Sequence, residues 1–212
     1  IIGCEVYVAP RTRFDKEANV DTQYSHLILL AKDNEGYKNL TKLVSLSFTE
    51  GYYYKPRIDK EILRKYSKGL ICTSACIGGE LSVNILNNNY EKAKEIAQEY
   101  VDIFGKDDYY IELQHNGIQE QVLANQGLIK IANELGLKII ATNDAHYLNK
   151  EDAYPHEVLL CVQTGKKMID EDRMRFSTDE FYVKSQEEMY ENFKNLPQAL
   201  SNPIEIADKC NV

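Results

Sequence analysis

The sequence predicts an α/β protein built on a parallel sheet or barrel, and three observations carry the prediction. Apolar runs at 69–73 (GLICT), 109–113 (YYIEL) and 137–141 (LKIIA) alternate with segments of helical period. Each run breaks abruptly into polar residues: Ser74-Ala75-Cys76, Gln114-His115-Asn116-Gly117 and Thr142-Asn143-Asp144-Ala145-His146. No apolar run is long enough to cross a bilayer, and the 43% apolar and 27% charged content is that of an ordinary globular domain.

Residues 1–9 read as a strand whose apolar character Glu5 interrupts, and 10–22 as a polar, exposed loop or hairpin. A second strand, 24–31, has His26 at its head. Segment 33–48 is amphipathic, with Tyr37, Leu40, Leu43, Val44 and Phe48 on one face and Asp33 or Asn34 as N-cap. Residues 51–57 (GYYYKPR) form a loop of three tyrosines and two cations, after which Asp59 caps a short helix through Tyr66. The 69–73 strand is followed by Gly78-Gly79-Glu80 and a helix, broken at Asn87-Asn88-Asn89 before another helix, 90–104. The 109–113 strand leads to a helix over 119–135, with Val122, Leu123, Gln126, Ile129, Ile131, Ala132 and Leu135 on its apolar side and Gly136 as its C′ residue. After the last apolar run, 152–162 is helical with Pro155 in its first turn, 164–177 irregular, and 180–183 a short strand. Ser185-x-x-Glu188 is a capping box, and the helix starting at Pro197 should bend or restart at Pro203.

The strand ends carry the chemistry. Asp144 and His146 stand two residues apart at the end of a buried strand, where near-extended backbone would point both the same way. A divalent metal can share carboxylate and imidazole ligands, and strand ends are where parallel α/β folds keep their sites. The competing reading is a loop in which Asp144 caps a turn and His146 bonds locally. Glu5, His26, Cys76 and His115 extend the pattern to almost every strand. Singly, Cys76 suits a small buried hydrophobe, His26 a core histidine, Glu5 a solvated strand residue and His115 a turn beside Gly117. Together they favour a metal or hydrolase site, since a barrel gathers its strand ends into one ring.

Charge and cysteines bound the alternatives. A net charge of −8 and pI near 5.1 disfavour unaided binding to a phosphate backbone, although acidic clusters can hold cations that bridge to phosphate. Tyr53, Lys55 and Arg57 could contact a single strand by stacking and charge, but packing on the fold's rim is the stronger reading in so acidic a chain. The five cysteines are odd in number and scattered, which fits reduced thiols in a cytosolic protein. The chain opens without Met on a strand-like run, as the interior of a longer protein would.

In order along the chain, GCEVYV, HLILLAKDNEGYKNLTKLVS, GYYYKPRID, GLICTSACIGGEL, YYIELQ, ATNDAHYLNKEDAYPHEVLLCVQTG and PQALSNPIEIADKCNV resemble the PHP (polymerase and histidinol phosphatase) domain, in the version at the N-terminus of bacterial replicative DNA polymerase III alpha subunits. The resemblance covers essentially the whole chain. It implies a distorted (β/α)7 TIM-like barrel with a multinuclear metal centre at its strand ends. By motif, Glu5 matches the glutamate of G-x-E, His26 the histidine heading H-L-x-L-L-A, Cys76 the S-x-C position, and Asp144 and His146 the N-D-x-H pair. Relatives often read L-Q-x-H-G where this chain reads LQHNG, so no ligand role transfers to His115; it and His156 stand as residues lying behind the ligands. The family's H-x-H and D-H segments would precede Ile1, so the first strands and several ligands are expected to be missing and the site incomplete.

The resemblance implies a PHP domain over 1–184 and a helical connection towards a polymerase core over 185–212. It implies zinc or manganese, or else magnesium, in the site, and a metal-dependent phosphoesterase of the 3′→5′ exonuclease or pyrophosphatase type. The alternative is a non-catalytic scaffold that stabilises the polymerase and docks a proofreading exonuclease subunit. Nucleotidyl transfer would belong to the parent DNA-directed DNA polymerase. Implied partners are the remainder of the alpha subunit, the exonuclease and other replicase subunits, and DNA through the parent, in the bacterial cytoplasm and without a membrane.

Overall fold

The computed structural model describes all 212 residues, Ile1–Val212. In chain order its elements are β1 (Gly3–Val8), β2 (Ser25–Ala31), α1 (Asn34–Thr49), β3 (Arg57–Ile58), α2 (Lys60–Tyr66), β4 (Leu70–Thr73), α3 (Glu80–Leu86), α4 (Tyr90–Phe104), β5 (Tyr109–Gln114), α5 (Gln119–Leu135), β6 (Lys138–Thr142), α6 (Ala153–Thr164), α7 (Gln186–Phe193) and α8 (Pro197–Lys209). The strands form one six-stranded sheet in the order β3-β1-β2-β4-β5-β6. β4, β5 and β6 are parallel, as their alternation with helices predicts. β2 runs antiparallel to both neighbours, β1 and β4. It therefore presents its N-terminal end at the sheet edge where the other five strands present C-terminal ends.

Alternation along the strands sorts the side chains between two faces. Val6, Val8, Leu27, Leu29, Leu70, Cys72, Tyr109, Ile111, Leu113, Ile139 and Ala141 face the helices and form the sheet's share of a core of 27 buried residues. The opposite face is layered. At its foot Ile71, Tyr110 and Ile140 pack with Ile206 of α8. Above them lies a polar layer of Thr73, Glu112, Gln114 and Thr142, and above that the strand ends. No helix is long and apolar enough to cross a membrane.

The helix signals act as the sequence reading expects. Asp33 accepts from Gly36 N to cap α1, Asp59 from Ile62 N to cap α2, and Ser185 and Glu188 form both arms of the capping box on α7. Gly136 is left-handed at the end of α5. The buried faces of two helices are rotated from expectation. α1 buries Gly36, Leu40, Leu43 and Ser47, leaving Tyr37 and Phe48 exposed. α5 buries Gln121, Ala124, Leu128, Ile131 and Ala132, leaving Val122 and Leu123 outside.

Three other expectations are corrected. Segment 180–183 is not a strand: Tyr182 makes a single bridge to Tyr147, and the backbone bonds to 146–148 are too few for a ladder. α8 does not restart at Pro203, because the proline removes only one N–H and the helix continues to Lys209. α8 also lies along the free edge of β6, where Asn202 Nδ2 donates to the Ile139 carbonyl, so this edge is partly covered. Loop 10–22 is not exposed throughout. Arg13 and Asp21 are buried, and the fully buried Arg57 guanidinium donates to the carbonyls of Arg13, Asp15, Asp21 and Gly51.

Candidate metal centre

The strand-end edge of the sheet opens into a cavity of about 500 Å³, and Glu5, His26, Cys76, Asp144 and His146 all line it. Glu5 faces it from β1, on the side opposite the buried Val6 and Val8. His26 reaches the same edge because β2 is reversed, which pairs His26 with Tyr7 across the β1–β2 ladder. The His26 Nδ1 atom is 3.5 Å from Glu5 Oε1 and 3.3 Å from Cys76 Sγ. One donor atom from each of Glu5, His26 and Cys76 lies within 4.8 Å of the others.

The turn after β4 brings Cys76 into place. Ala75 is left-handed, with φ of 60°, and Gly78 N donates to Cys76 Sγ at 3.4 Å. The Gly78 carbonyl in turn accepts from His26 N at 3.0 Å, joining this turn to the head of β2. After β6, Asp144 is itself left-handed, with φ of 49°. The extended geometry expected of 144–146 is thus absent, because the strand ends at Thr142 and the chain turns sharply. The turn nonetheless places Asp144 Oδ1 at 3.5 Å from His146 Nε2. Non-glycine residues held left-handed cost about 1–3 kcal/mol each and collect at functional sites. Here one precedes a candidate ligand and another is one.

Electrostatics follow from burial and the surplus of negative charge. Burial pushes the Cys76 thiol up to about 12, and Asp144, Glu5 and Glu112 push the same way against the Gly78 hydrogen bond. The hydrogen bond to Asp144 raises His146 above the ordinary histidine value, opposed by burial. Carboxylate, imidazole and thiol together suit zinc or another divalent ion that tolerates sulfur. His146 is seated by its own N–H, which donates to the Phe181 carbonyl at 2.7 Å, and by the edges of Phe176 and Phe181.

The remaining sequence candidates lie elsewhere. His156 packs against His146, ring centroids 5.8 Å apart, and lines a neighbouring cavity. His115 is exposed, pairs edge-on with Phe193 and does not line the site; Asn116, one residue later and buried, does. Tyr53 is half-buried and Lys55 exposed, and neither lines the cavity. Arg57 is corrected outright as a nucleic-acid contact, since it is fully buried and four of its five N–H donors bond backbone carbonyls inside the protein.

Two residues escaped the sequence reading. Glu112 is buried in the middle of β5, beneath the site, with its carboxyl raised chiefly by burial. Its signal was a charged residue inside an otherwise apolar strand. Arg175, on the loop after α6, is the one permanent cation lining the cavity, and it makes no ion pair. Its neighbour Arg173, by contrast, is bonded to Glu157 at 2.5 Å. Nothing in its local sequence pattern separated Arg175 from solvated charge.

The PHP domain family model matches residues 1–116. Over its whole length the chain is 50% identical to the DNA polymerase III subunit alpha of Borreliella burgdorferi and 45% identical to that of Treponema pallidum. The corresponding figure for the Thermus aquaticus protein is 46%. The chain spans 18% of the length of each of these relatives.

Proposed function

The chain belongs to the PHP domain family, and from that membership we propose that Glu5, His26, Cys76, Asp144 and His146 hold divalent metal in a phosphoesterase site of a DNA polymerase III alpha subunit. The observation that carries this reading is the arrival of five metal-competent side chains, from β1, β2 and the turns after β4 and β6, in one cavity. Bound there, two or three cations would lower the pKa of an attacking water and offset charge on the phosphate being cleaved. The chain's own residues set the rest. Glu5, His26 and Cys76 form the tightest donor group. Cys76 gives up its proton on binding, so metal uptake is pH-dependent and releases acid. Its sulfur favours zinc; manganese suits the carboxylate and imidazole donors, and magnesium the oxygens alone. Arg175 supplies the fixed positive charge that a phosphodiester or pyrophosphate substrate would meet, through a planar fork suited to phosphate oxygens.

In this reading the sheet is part of a distorted (β/α)7 barrel, the PHP domain occupies 1–184, and 185–212 leads towards the polymerase core while seated on β6. The parent acts in DNA replication in the bacterial cytoplasm, with the rest of the alpha subunit, other replicase subunits and DNA as partners. A second reading is a non-catalytic scaffold that stabilises the polymerase and docks a proofreading exonuclease subunit. It is favoured by an apolar groove of about 750 Å³ lined by Met189, Tyr190, Leu200 and Ile204.

Elemental analysis of the purified protein beside the double variant Asp144→Asn, His146→Ala tests the proposal. Zinc or manganese in the wild type, lost in the variant, supports the metal centre and leads to nuclease and pyrophosphatase assays. No bound metal in a folded wild type would remove the catalytic reading.

A further inference from the structure

Glu112 lies at the centre of the polar layer beneath the cavity, and its two carboxyl oxygens are divided between strands. Oε2 accepts from Thr73 on β4, while Oε1 accepts from Thr142 on β6 at 2.5 Å and from Gln114 Nε2 at 3.1 Å. The chain of bonds continues upward on both sides. Thr73 Oγ1 accepts from Ala75 N at 3.4 Å, the left-handed residue immediately before Cys76. Thr142 stands two residues before the left-handed Asp144, and its Oγ1 also accepts from Gln114 Nε2 at 3.3 Å. The backbone of Glu112 adds a further tie, its N–H donating to Ser74 Oγ at 2.9 Å.

A carboxyl this deep, with no cation beside it, is expensive relative to an apolar side chain. The hydrogen bonds offset that cost but would be unnecessary in a layer built of valine and leucine. The fold already shows such packing one layer below, in Ile71, Tyr110 and Ile140. What the carboxyl supplies that aliphatic packing does not is a direction-specific bond to each of the two strand ends that then turn, against backbone preference, into the site.

We propose that Glu112 is a positioning residue that fixes the separation of Cys76 and Asp144 by holding the ends of β4 and β6 beneath their strained turns. Glu112 touches neither metal nor substrate in this role. The inference rests on the metal-centre reading, and groups orienting a metal's ligands are worth about 10- to 100-fold in metal affinity.

The test is a cobalt(II) titration of the full chain, followed by the thiolate-to-cobalt charge-transfer band, which reports Cys76 coordination, alongside the apo-protein's melting temperature. Glu112→Gln keeps the shape but accepts through one oxygen only. It should weaken cobalt affinity about 10- to 100-fold and diminish the band, with an apo melting temperature near the wild type's. Thr142→Val should act in the same direction, and the double variant should lose little more than either single one, because both break the same link. If Glu112→Gln fails to fold, Thr73→Val and Thr142→Val, which each delete one hydroxyl, carry the test. Wild-type affinity and band in these variants would overturn the positioning role while leaving the metal centre standing. No thiolate band in the wild type itself would overturn the metal-centre reading and this inference together.

Discussion

Replacing Arg57 with Met decides whether the aromatic-basic loop is a nucleic-acid clamp or a structural keystone. The Arg57 side chain is fully buried, and its guanidinium donates from Nε to Gly51 O at 3.0 Å, from one terminal nitrogen to Asp21 O at 2.8 Å, and from the other to Arg13 O at 3.2 Å and Asp15 O at 2.9 Å. Three of these carbonyls belong to loop 10–22, so one side chain fastens that loop to β3. Hydrogen bonds from a charged donor are worth about 1.5–3 kcal/mol each, but the guanidinium's own desolvation opposes them and the freed loop can recover water. A net loss of about 3–4 kcal/mol follows for Arg57→Met, and in a chain of this size that lowers the melting temperature by roughly 10 °C. Urea unfolding would show the lowered midpoint, and limited proteolysis should cut within 10–22 before the rest of the chain. Arg57→Lys should recover only part of the loss, since an ammonium lacks the fork that spans four acceptors. A loss below about 1 kcal/mol with the loop still protected would refute the keystone argument. A fall in DNA affinity without a fall in stability would restore the clamp.

Three further outcomes follow from particular contacts. Glu205, bonded to Lys138, Tyr110 and Lys209, is held down at about 2, so its contribution to stability is fully present above the ordinary carboxylate value and lost as pH falls towards 2. Glu205→Gln should therefore be less stable than wild type at pH 7, by at most about 1 kcal/mol for so exposed a group, and the gap should close in acid melts. Gly36→Ala would put a Cβ 1.8 Å from the Gly69 carbonyl oxygen, where α1 crosses the turn before β4. Because both sides of that contact are backbone, a loss of about 2–4 kcal/mol is expected in urea unfolding. Ser185→Ala deletes one arm of the α7 capping box and should cost about 1 kcal/mol by the same assay.

The elements legible in the sequence are those fixed by local chemistry. Asp33, Asp59, Ser185 and Gly136 mark helix ends through short-range bonds and backbone preference, and each acts where its residue type predicts. The strands of 69–142 declare themselves by apolar runs. Features settled by distant partners were not legible. The burial of Arg57 depends on carbonyls up to 44 residues away. The rotation of the α1 face follows from the close approach of Gly36 to Gly69, which draws the glycine inward and leaves Tyr37 exposed. The strand expected at 180–183 reduces to a few backbone bonds because its segment meets only the loop after β6.

The candidate site shows the same division more sharply. Its five donors could be read from motif and strand end, but their convergence depends on the reversal of β2, for which periodicity carries no sign. Were β2 parallel to its neighbours, His26 at its head would lie at the foot of the sheet, a strand's length from Cys76. Seven residues at about 3.3 Å each make that roughly 20 Å. Instead the reversed strand sets the two 3.3 Å apart, and the Gly78 carbonyl pins His26 N to the turn that carries Cys76. The left-handed backbone at Ala75 and Asp144 then completes what strand direction begins, turning the ends of β4 and β6 over a floor of hydrogen-bonded threonine, glutamine and glutamate. Left-handed backbone at non-glycine residues costs conformational free energy and collects at functional sites. Asn19, Tyr54 and Asn88 share that backbone elsewhere in the chain, but Ala75 and Asp144 are the two that stand after the strands carrying Cys76 and Asp144 into the cavity, so the strain counts for the site through its placement.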